Sequence, residues 1–177
     1  PRLLIVAGGS GTGKSSLVFA GAIPKLLAAD PDLRFLRMRP GADPLKALSE
    51  TLAQVPAQGK GILVVDQFEE LFTQTKSPPV RESFVRQLWI LAAAPDPGLR
   101  ILLTMRVDYV GRCGELLVSD AGLRLDRVAY DEAHRIFIAQ MSPEQLHRAI
   151  VQPAQKVGLQ LQEGLAERML LDVGREP

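Results

Sequence analysis

The chain has 177 residues, of which 46% are hydrophobic and 23% are charged, and its formal net charge is +1. This composition is typical of a soluble globular domain and excludes a disordered chain, and no apolar run approaches the roughly 20 residues that a membrane span needs. Because basic and acidic residues are nearly balanced and intermixed, nucleic acid is not an expected partner.

The first predicted element is a phosphate-binding loop between a strand and a helix. Residues 8–15, Gly-Gly-Ser-Gly-Thr-Gly-Lys-Ser, fit the pattern G-x-x-x-x-G-K-[ST] without a substitution. The apolar run at residues 3–7 is typical of a doubly buried parallel strand, and a helical pattern over residues 14–29 follows, with a kink expected at Pro24. This order favours a nucleotide site over the alternative, a glycine-rich turn with an accidental Lys-Ser pair.

The loop offers several kinds of contact to a polyphosphate. Its glycines let backbone N–H groups converge on the anion, and the helix that follows directs its positive dipole end there. Lys14 supplies a charge toward the β- and γ-phosphates, and Ser15 supplies a hydroxyl ligand for Mg²⁺. The residues expected to bind nucleotide are Gly8, Ser10, Gly11, Thr12, Gly13, Lys14, Ser15 and Ser16.

The rest of the chain alternates strands and helices. Further strands are predicted at residues 34–38, 62–65, 101–105 and 136–139. Further helices are predicted from Pro44 to Val55, over residues 80–93, over residues 143–152 and over residues 165–173, with a turn at residues 95–98. We expect Pro153 to kink or restart the third of these helices, and residues 109–134 indicate only short helices and turns.

Five apolar strands separated by helices predict an α/β fold with an open parallel sheet. Ligands of such sheets bind beyond the carboxyl ends of the strands. The phosphate loop, Asp66 and Arg106 all follow apolar runs and so fall at such ends, and we therefore expect them to share one site.

Carboxylates follow the third strand. Asp66 comes directly after four apolar residues, where a carboxylate can reach a Mg²⁺ held by the loop hydroxyl. Glu69 or Glu70 could then orient or deprotonate an attacking water, and the two point about 100° apart if a helix begins at Phe68. The alternative for this pair is a solvated acidic helix start.

Arg106 ends the fourth strand. Its planar, permanently charged guanidinium suits a γ-phosphate and can sense whether that phosphate is present. The alternative is a salt bridge to Asp108, two residues further along the chain, or to a surface carboxylate. The lone Cys113 excludes an intrachain disulfide, which favours a reducing compartment and makes cytoplasm the expected location.

Several of these stretches resemble the novel STAND NTPases, first class. Residues 8–18 resemble the phosphate loop of that family, and residues 63–73, Leu-Val-Val-Asp-Gln-Phe-Glu-Glu-Leu-Phe-Thr, resemble its Walker B run and are similar in spacing to that of NACHT domains. Residues 39–44, 103–109 and 141–154 add to the resemblance, which covers nearly the whole chain.

The resemblance implies a three-layer P-loop NTPase fold with strand order 5-1-4-3-2, spanning residues 1–141, and the start of a helical region at residues 142–177. It implies ATP as the nucleotide and a role as a signal-transducing switch between effector and repeat-type sensor modules of one polypeptide. By position it makes Lys14 and Ser15 the Walker A pair, Asp66 the Walker B acid and Arg106 the sensor arginine, and it places Pro153 near adenine.

The leading functional hypothesis is a slow ATPase switch that uses ATP and Mg²⁺ and can form an ATP-dependent homo-oligomer. The alternatives are a small-molecule kinase with the same loop, or a scaffold that binds ATP without hydrolysing it. GTP is disfavoured, because its recognition run requires Asn- or Thr-Lys-x-Asp; the chain contains no Asn, and Thr75-Lys76 continues into Ser77-Pro78.

Overall fold

A computed structural model describes residues 2–54, 60–94 and 99–173. It contains one five-stranded parallel sheet in the order β2-β3-β4-β1-β5. The strands are β1 (Leu3–Gly8), β2 (Arg34–Met38), β3 (Gly61–Val65), β4 (Leu99–Arg106) and β5 (Arg135–Ile138). The predicted α/β class and the predicted strand order, which is the same order listed from the other edge, are confirmed.

The helices lie between these strands and after the last one. They are α1 (Lys14–Ser16), α2 (Ile23–Ala29), α3 (Pro44–Leu52), α4 (Glu70–Thr73), α5 (Pro78–Ala93), α6 (Leu125–Tyr130), α7 (Pro143–Lys156) and α8 (Leu165–Val173). The 3-10 segments Val107–Glu115 and Glu132–His134, together with α6, lie in the region where the sequence indicates only short helices and turns. Val55 and the turn predicted at residues 95–98 lie outside the described residues.

Helical backbone runs without interruption from α1 to α2, because a π-helical segment, Leu17–Ala22, joins them. In this segment the N–H of Ile23 bonds to the carbonyl of Val18, five residues earlier. Pro24 therefore lies in the first turn of α2, a position that tolerates a missing N–H. The kink predicted at Pro24 stays a prediction; the irregularity that the structure shows is this wide π-helical turn, which ends before the proline.

Two apolar layers cover the two faces of the sheet. Alternate residues of a strand point to opposite faces, so Ile5 packs with one cluster and Val6 with the other. The first cluster includes Phe84 and Leu88 of α5, and the second includes Val18 and Ile23 from the segments around α2. The sheet is therefore the middle of three layers, and its central strands are buried on both sides, as their continuous apolar sequences predict.

The chain divides into two compact units between Ile138 and Ala139. The first unit contains the sheet. The second contains α7, which begins with a capping box of Ser142 and Gln145, and α8. The prediction that this helix ends near Gln152 is wrong, since α7 continues through Pro153 to Lys156. No described helix is long and apolar enough to cross a membrane.

Candidate functional site

The phosphate-binding loop leaves the sheet at the end of β1 and closes into α1. Gly13 has φ +82°, a conformation that costs glycine little, and it directs the chain into the helix. A Cβ on Gly8 would lie 2.7 Å from the carbonyl oxygen of Ile138 and 2.8 Å from Oγ1 of Thr12. The buried Thr12 also donates from Oγ1 to the Gly9 carbonyl at 3.0 Å. Close packing therefore fixes the shape of the loop.

Lys14 extends along the inside of this loop. Its Nζ donates to the carbonyl of Gly9 at 2.6 Å and to that of Gly8 at 3.0 Å. The ammonium is thus held at the start of the loop by two carbonyl dipoles. A phosphate oxygen that accepts a hydrogen bond from Lys14 must compete with these two carbonyl contacts.

Asp66 links the loop to the sheet. Its Oδ1 accepts from the Ser15 hydroxyl at 2.8 Å and from the Thr104 hydroxyl at 2.7 Å. Burial would raise the pKa of the Asp66 carboxyl, but these hydrogen bonds and one from Arg37 outweigh burial and lower the pKa below its usual value. The ends of β3 and β4 and the start of α1 are therefore joined through one ionised carboxylate.

Arg37 and Arg39 approach the same carboxylate from β2 and the residues after it. Arg37 Nη2 donates to Asp66 Oδ2 at 2.7 Å, and Arg39 Nη2 lies 3.7 Å from that oxygen. The Arg37 guanidinium also lies over the Phe19 ring, 4.0 Å from its centre. Sequence reasoning missed the contact between Arg37 and Asp66. The signal that could have found it is an arginine near the end of β2, the strand that pairs with β3.

The two glutamates after Asp66 point in different directions. Glu69 lines the cleft beside the loop, and its Oε2 accepts from the backbone N–H of Arg106 at 3.2 Å. Glu70 accepts from the backbone N–H of Gly41 at 3.2 Å, and so it faces the segment after β2. Of the two candidates, only Glu69 lines this cleft.

Arg106 lines the cleft from the end of β4, and it also forms the ion pair that the sequence offers as the alternative. Its Nε and Nη2 donate to the two carboxylate oxygens of Asp108 at 3.0 and 2.8 Å. This pairing lowers the pKa of Asp108 and raises that of Arg106. Both partners are half exposed, so the guanidinium is accessible from the cleft while it is paired.

The cleft has a volume of about 330 Å³ and brings most of the predicted residues together. Its lining consists of Ser10, Gly11, Gly13, Lys14, Ser15, Ser16, Gln67, Glu69, Thr104 and Arg106. Gly8 and Thr12 shape the loop behind it. Pro153 lies in α7, in the second unit, and its predicted contact with adenine stays a prediction.

The residues suited to a metal ion are few. Among residues 2–54, 60–94 and 99–173, no three His, Cys, Asp or Glu side chains cluster as metal ligands would. The Ser15 hydroxyl and the ionised Asp66 carboxylate lie 2.8 Å apart and are hard oxygen donors. Mg²⁺ is commonly held by one or two such protein ligands together with water and substrate phosphates, and this pair fits that requirement.

Comparison with known proteins places the chain in a family. The family model of the novel STAND NTPase 1 group matches residues 1–177. The chain belongs to this family. As a STAND NTPase domain, it carries its loop, Asp66 and Arg106 at the carboxyl edge of a P-loop NTPase sheet. No curated protein matches the sequence.

Solved structures share this fold at low sequence identity. A Walker-type ATPase of Pyrococcus abyssi is 14% identical, with a TM-score of 0.59, over 96% of this chain and 58% of that one. The ORC2 protein of Aeropyrum pernix, solved in ADPNP–ADP complexes, is 12% identical with a TM-score of 0.59, over 96% of this chain and 50% of that one. The STAND NTPase domain thus spans about half the length of these two chains, which share its fold.

Proposed function

We propose that this domain binds ATP with Mg²⁺, hydrolyses it slowly and thereby switches a larger signalling protein between two states. The observation that carries the proposal is the 2.8 Å hydrogen bond between Ser15 and Asp66. It brings the hydroxyl of the loop and the carboxylate that follows β3 together, beside a cleft lined by Lys14 and Arg106. A triphosphate needs this combination of donors and positive charge.

Binding follows from the groups around the cleft. The backbone N–H groups of the loop and the start of the helix receive the phosphates, and Lys14 exchanges its carbonyl contacts for phosphate oxygens. Ser15 and Asp66 would hold Mg²⁺, which neutralises charge on the β- and γ-phosphates when bound. Thr104 keeps Asp66 oriented through its 2.7 Å hydrogen bond.

Hydrolysis requires a group that positions water and accepts its proton. Glu69 fits this role, because its carboxylate lines the cleft and is held by the N–H of Arg106. Glu70 is directed to Gly41, outside the cleft lining. In this proposal Glu69 acts as the base and Glu70 supports the structure of the segment after β2.

The switch depends on the γ-phosphate. When ATP is bound, Arg106 exchanges its bidentate pair with Asp108 for contacts with the terminal phosphate; when ADP is bound, it keeps the pair. Moving a two-state domain from 1:99 to 99:1 requires a difference of about 5.5 kcal/mol between the nucleotide states. A few charged hydrogen bonds, each contributing about 1.5–3 kcal/mol, are enough for this.

The wider role is also part of the proposal. Effector and sensor modules of the same polypeptide would detect the two states, and the ATP state would favour a homo-oligomer in the cytoplasm. Membership of a STAND NTPase family supports this role. A small-molecule kinase would transfer the phosphate to an acceptor other than water, which distinguishes it in a phosphate-release assay.

The two glutamates offer a matched test of hydrolysis. We expect Glu69→Gln to lower the rate of phosphate release by about 10²-fold with ATP binding retained, since the variant loses a general base. Glu70→Gln should change the rate less than threefold, roughly the effect of a single weak hydrogen bond. Equal rates for wild type and Glu69→Gln would contradict the assignment, and an intact protein that binds ATP but releases no phosphate would indicate a scaffold.

A further inference from the structure

Gln67 has an unusual backbone conformation. Its φ of +54° is the only positive value at a non-glycine position among the residues that the structure describes. A side chain with a Cβ is disfavoured in this left-handed region, whereas glycine adopts it readily. Conformations of this kind persist only where surrounding contacts impose them, and they cluster at functional sites.

The contacts that impose the conformation come from β4. The backbone N–H of Gln67 donates to Thr104 Oγ1 at 3.0 Å, and the next N–H, of Phe68, donates to the Thr104 carbonyl at 2.8 Å. The same Thr104 hydroxyl donates to Asp66 Oδ1 at 2.7 Å. Because the Phe68 side chain is fully buried, residue 67 is fixed between two anchored neighbours.

The Gln67 side chain has a free functional group beside the cleft. Gln67 is half-buried and lines the cleft together with Lys14, Ser15, Glu69 and Arg106. Within the part of the chain that the structure describes, its carboxamide makes no hydrogen bond, so that one acceptor oxygen and two donor hydrogens are unused. A lone amide can contact an anion and a water molecule at the same time.

We propose that Gln67 is a catalytic residue of the hydrolysis, with its carboxamide contacting both the γ-phosphate and the attacking water. This proposal rests on the ATPase function proposed above. The amide NH₂ donates to a γ-phosphate oxygen. The amide oxygen accepts a hydrogen bond from the water, and this orients the lone pair of the water oxygen toward phosphorus. The anchored backbone fixes the position of the Gln67 Cβ at the cleft, so only the side-chain torsions are ordered when the substrate binds.

The amide takes no proton in this step. The water oxygen forms the new bond to the γ-phosphorus, and the bond from that phosphorus to the bridging oxygen breaks. ADP leaves with the electron pair of the broken bond. The proton released by the water passes to the Glu69 carboxylate, from which it is lost to solvent.

Replacement of Gln67 by glycine separates a catalytic role from a structural one. Gln67→Gly removes the amide and relieves the backbone strain, so we expect kcat for phosphate release to fall by at least tenfold while KM changes less than twofold. The thermal unfolding temperature should stay the same or rise. Gln67→Asn keeps an amide on a shorter side chain, and asparagine tolerates this backbone conformation. It should therefore retain part of the activity that Gln67→Gly loses.

Gln74 is a suitable control, because it is exposed at the end of α4 and lies outside the lining of the cleft. Gln74→Ala should leave both kcat and the unfolding temperature unchanged. If wild type hydrolyses ATP and Gln67→Gly does so equally fast, the role of Gln67 is refuted while the ATPase function stands. A fall in kcat together with the unfolding temperature indicates a structural role and also refutes it. A wild type that releases no phosphate overturns the ATPase function and this role with it.

Discussion

Asp66→Asn tests the hydrogen-bond network that joins the loop to the sheet. Asp66 Oδ1 accepts two hydroxyl donors, and Oδ2 accepts from Arg37 at 2.7 Å. Asparagine has nearly the same shape but presents an NH₂ group to one of these sides, so at least one donor loses its acceptor. If the oxygen stays with the hydroxyls, the NH₂ group faces the Arg37 guanidinium.

The expected loss of stability in Asp66→Asn depends on how exposed the hydrogen-bond partners of Asp66 are. A hydrogen bond to a charged group contributes about 1.5–3 kcal/mol. The Arg37 side chain is 47% exposed, so water recovers part of that loss, and the neutral amide avoids the cost of burying a charge. We expect a net destabilisation of about 1.5 kcal/mol, which lowers the unfolding temperature by about 3–6 °C in a chain of this length.

The effect should depend on pH. Because the folded state lowers the pKa of Asp66, the ionised carboxylate stabilises the fold at pH values above the ordinary pKa of 3.8. This stabilisation is lost as the pH falls below that value and through the lower pKa of the folded state. The difference between wild type and Asp66→Asn should therefore shrink as the pH is lowered from 7 to 3 in thermal unfolding experiments.

A surface ion pair provides the control. Asp30 Oδ2 lies 3.6 Å from Lys60 Nζ, and much of both side chains is exposed. Asp30→Asn should therefore change the free energy of unfolding by no more than about 0.5 kcal/mol. If Asp66→Asn is as stable as wild type at pH 7, the hydrogen bonds of Asp66 do not stabilise the fold. A difference in stability between the two proteins that stays constant down to pH 3 would contradict the lowered pKa of Asp66.

Two further predictions concern the ends of β4 and β1. Arg106→Ala should narrow the preference for ATP over ADP while ADP binding persists. Asp108→Asn should widen that preference by about two- to fivefold, because the guanidinium no longer has a competing partner. Competition binding with both nucleotides measures the preference, and an equal loss of affinity for ATP and ADP in Arg106→Ala would contradict a role in sensing the γ-phosphate. Gly8→Ala should lower the free energy of unfolding by about 1–3 kcal/mol, because the new Cβ would lie 2.7 Å from the Ile138 carbonyl oxygen. Gly111→Ala is the control, since a Cβ there meets nothing within 4 Å and should leave the unfolding temperature nearly unchanged. Similar unfolding temperatures for both variants would contradict the close packing behind the loop.

The sheet was predictable because its central strands are buried on both faces. Continuous apolar runs in β1 and β3 leave few alternatives to a parallel sheet with helices on each side. Strand ends were less certain: β4 begins at Leu99, two residues before its apolar run. A strand end with one exposed side chain carries little periodic signal, and here its pairing with β3 determines where it begins.

Prolines were less informative than the sequence suggests. Pro153 removes one backbone donor, yet α7 continues for another three residues to Lys156. Pro24 is accommodated because a π-helical turn comes before it. A proline shows which N–H is missing, but the surrounding helix decides whether the loss ends it.

The site was predictable where each residue follows its own strand, and less so where residues meet across strands. Asp66 and Ser15 could be paired from the edge of the sheet that they share. The contact of Arg37 with Asp66 depends on the register of β2 against β3. The strain at Gln67 has no sequence signal, since any residue other than glycine or asparagine is an improbable choice for that backbone.

Calorimetric titration of ATP with Mg²⁺ into wild type and Lys14→Ala measures whether the cleft binds a nucleotide. We expect one saturable site in wild type and at least a tenfold weaker affinity in the variant, from the loss of a charged contact to phosphate. Lys46→Ala, which removes an exposed lysine of α3, should bind ATP as wild type does. Unchanged affinity in Lys14→Ala, or no binding to an intact wild type, would contradict a nucleotide site in this cleft.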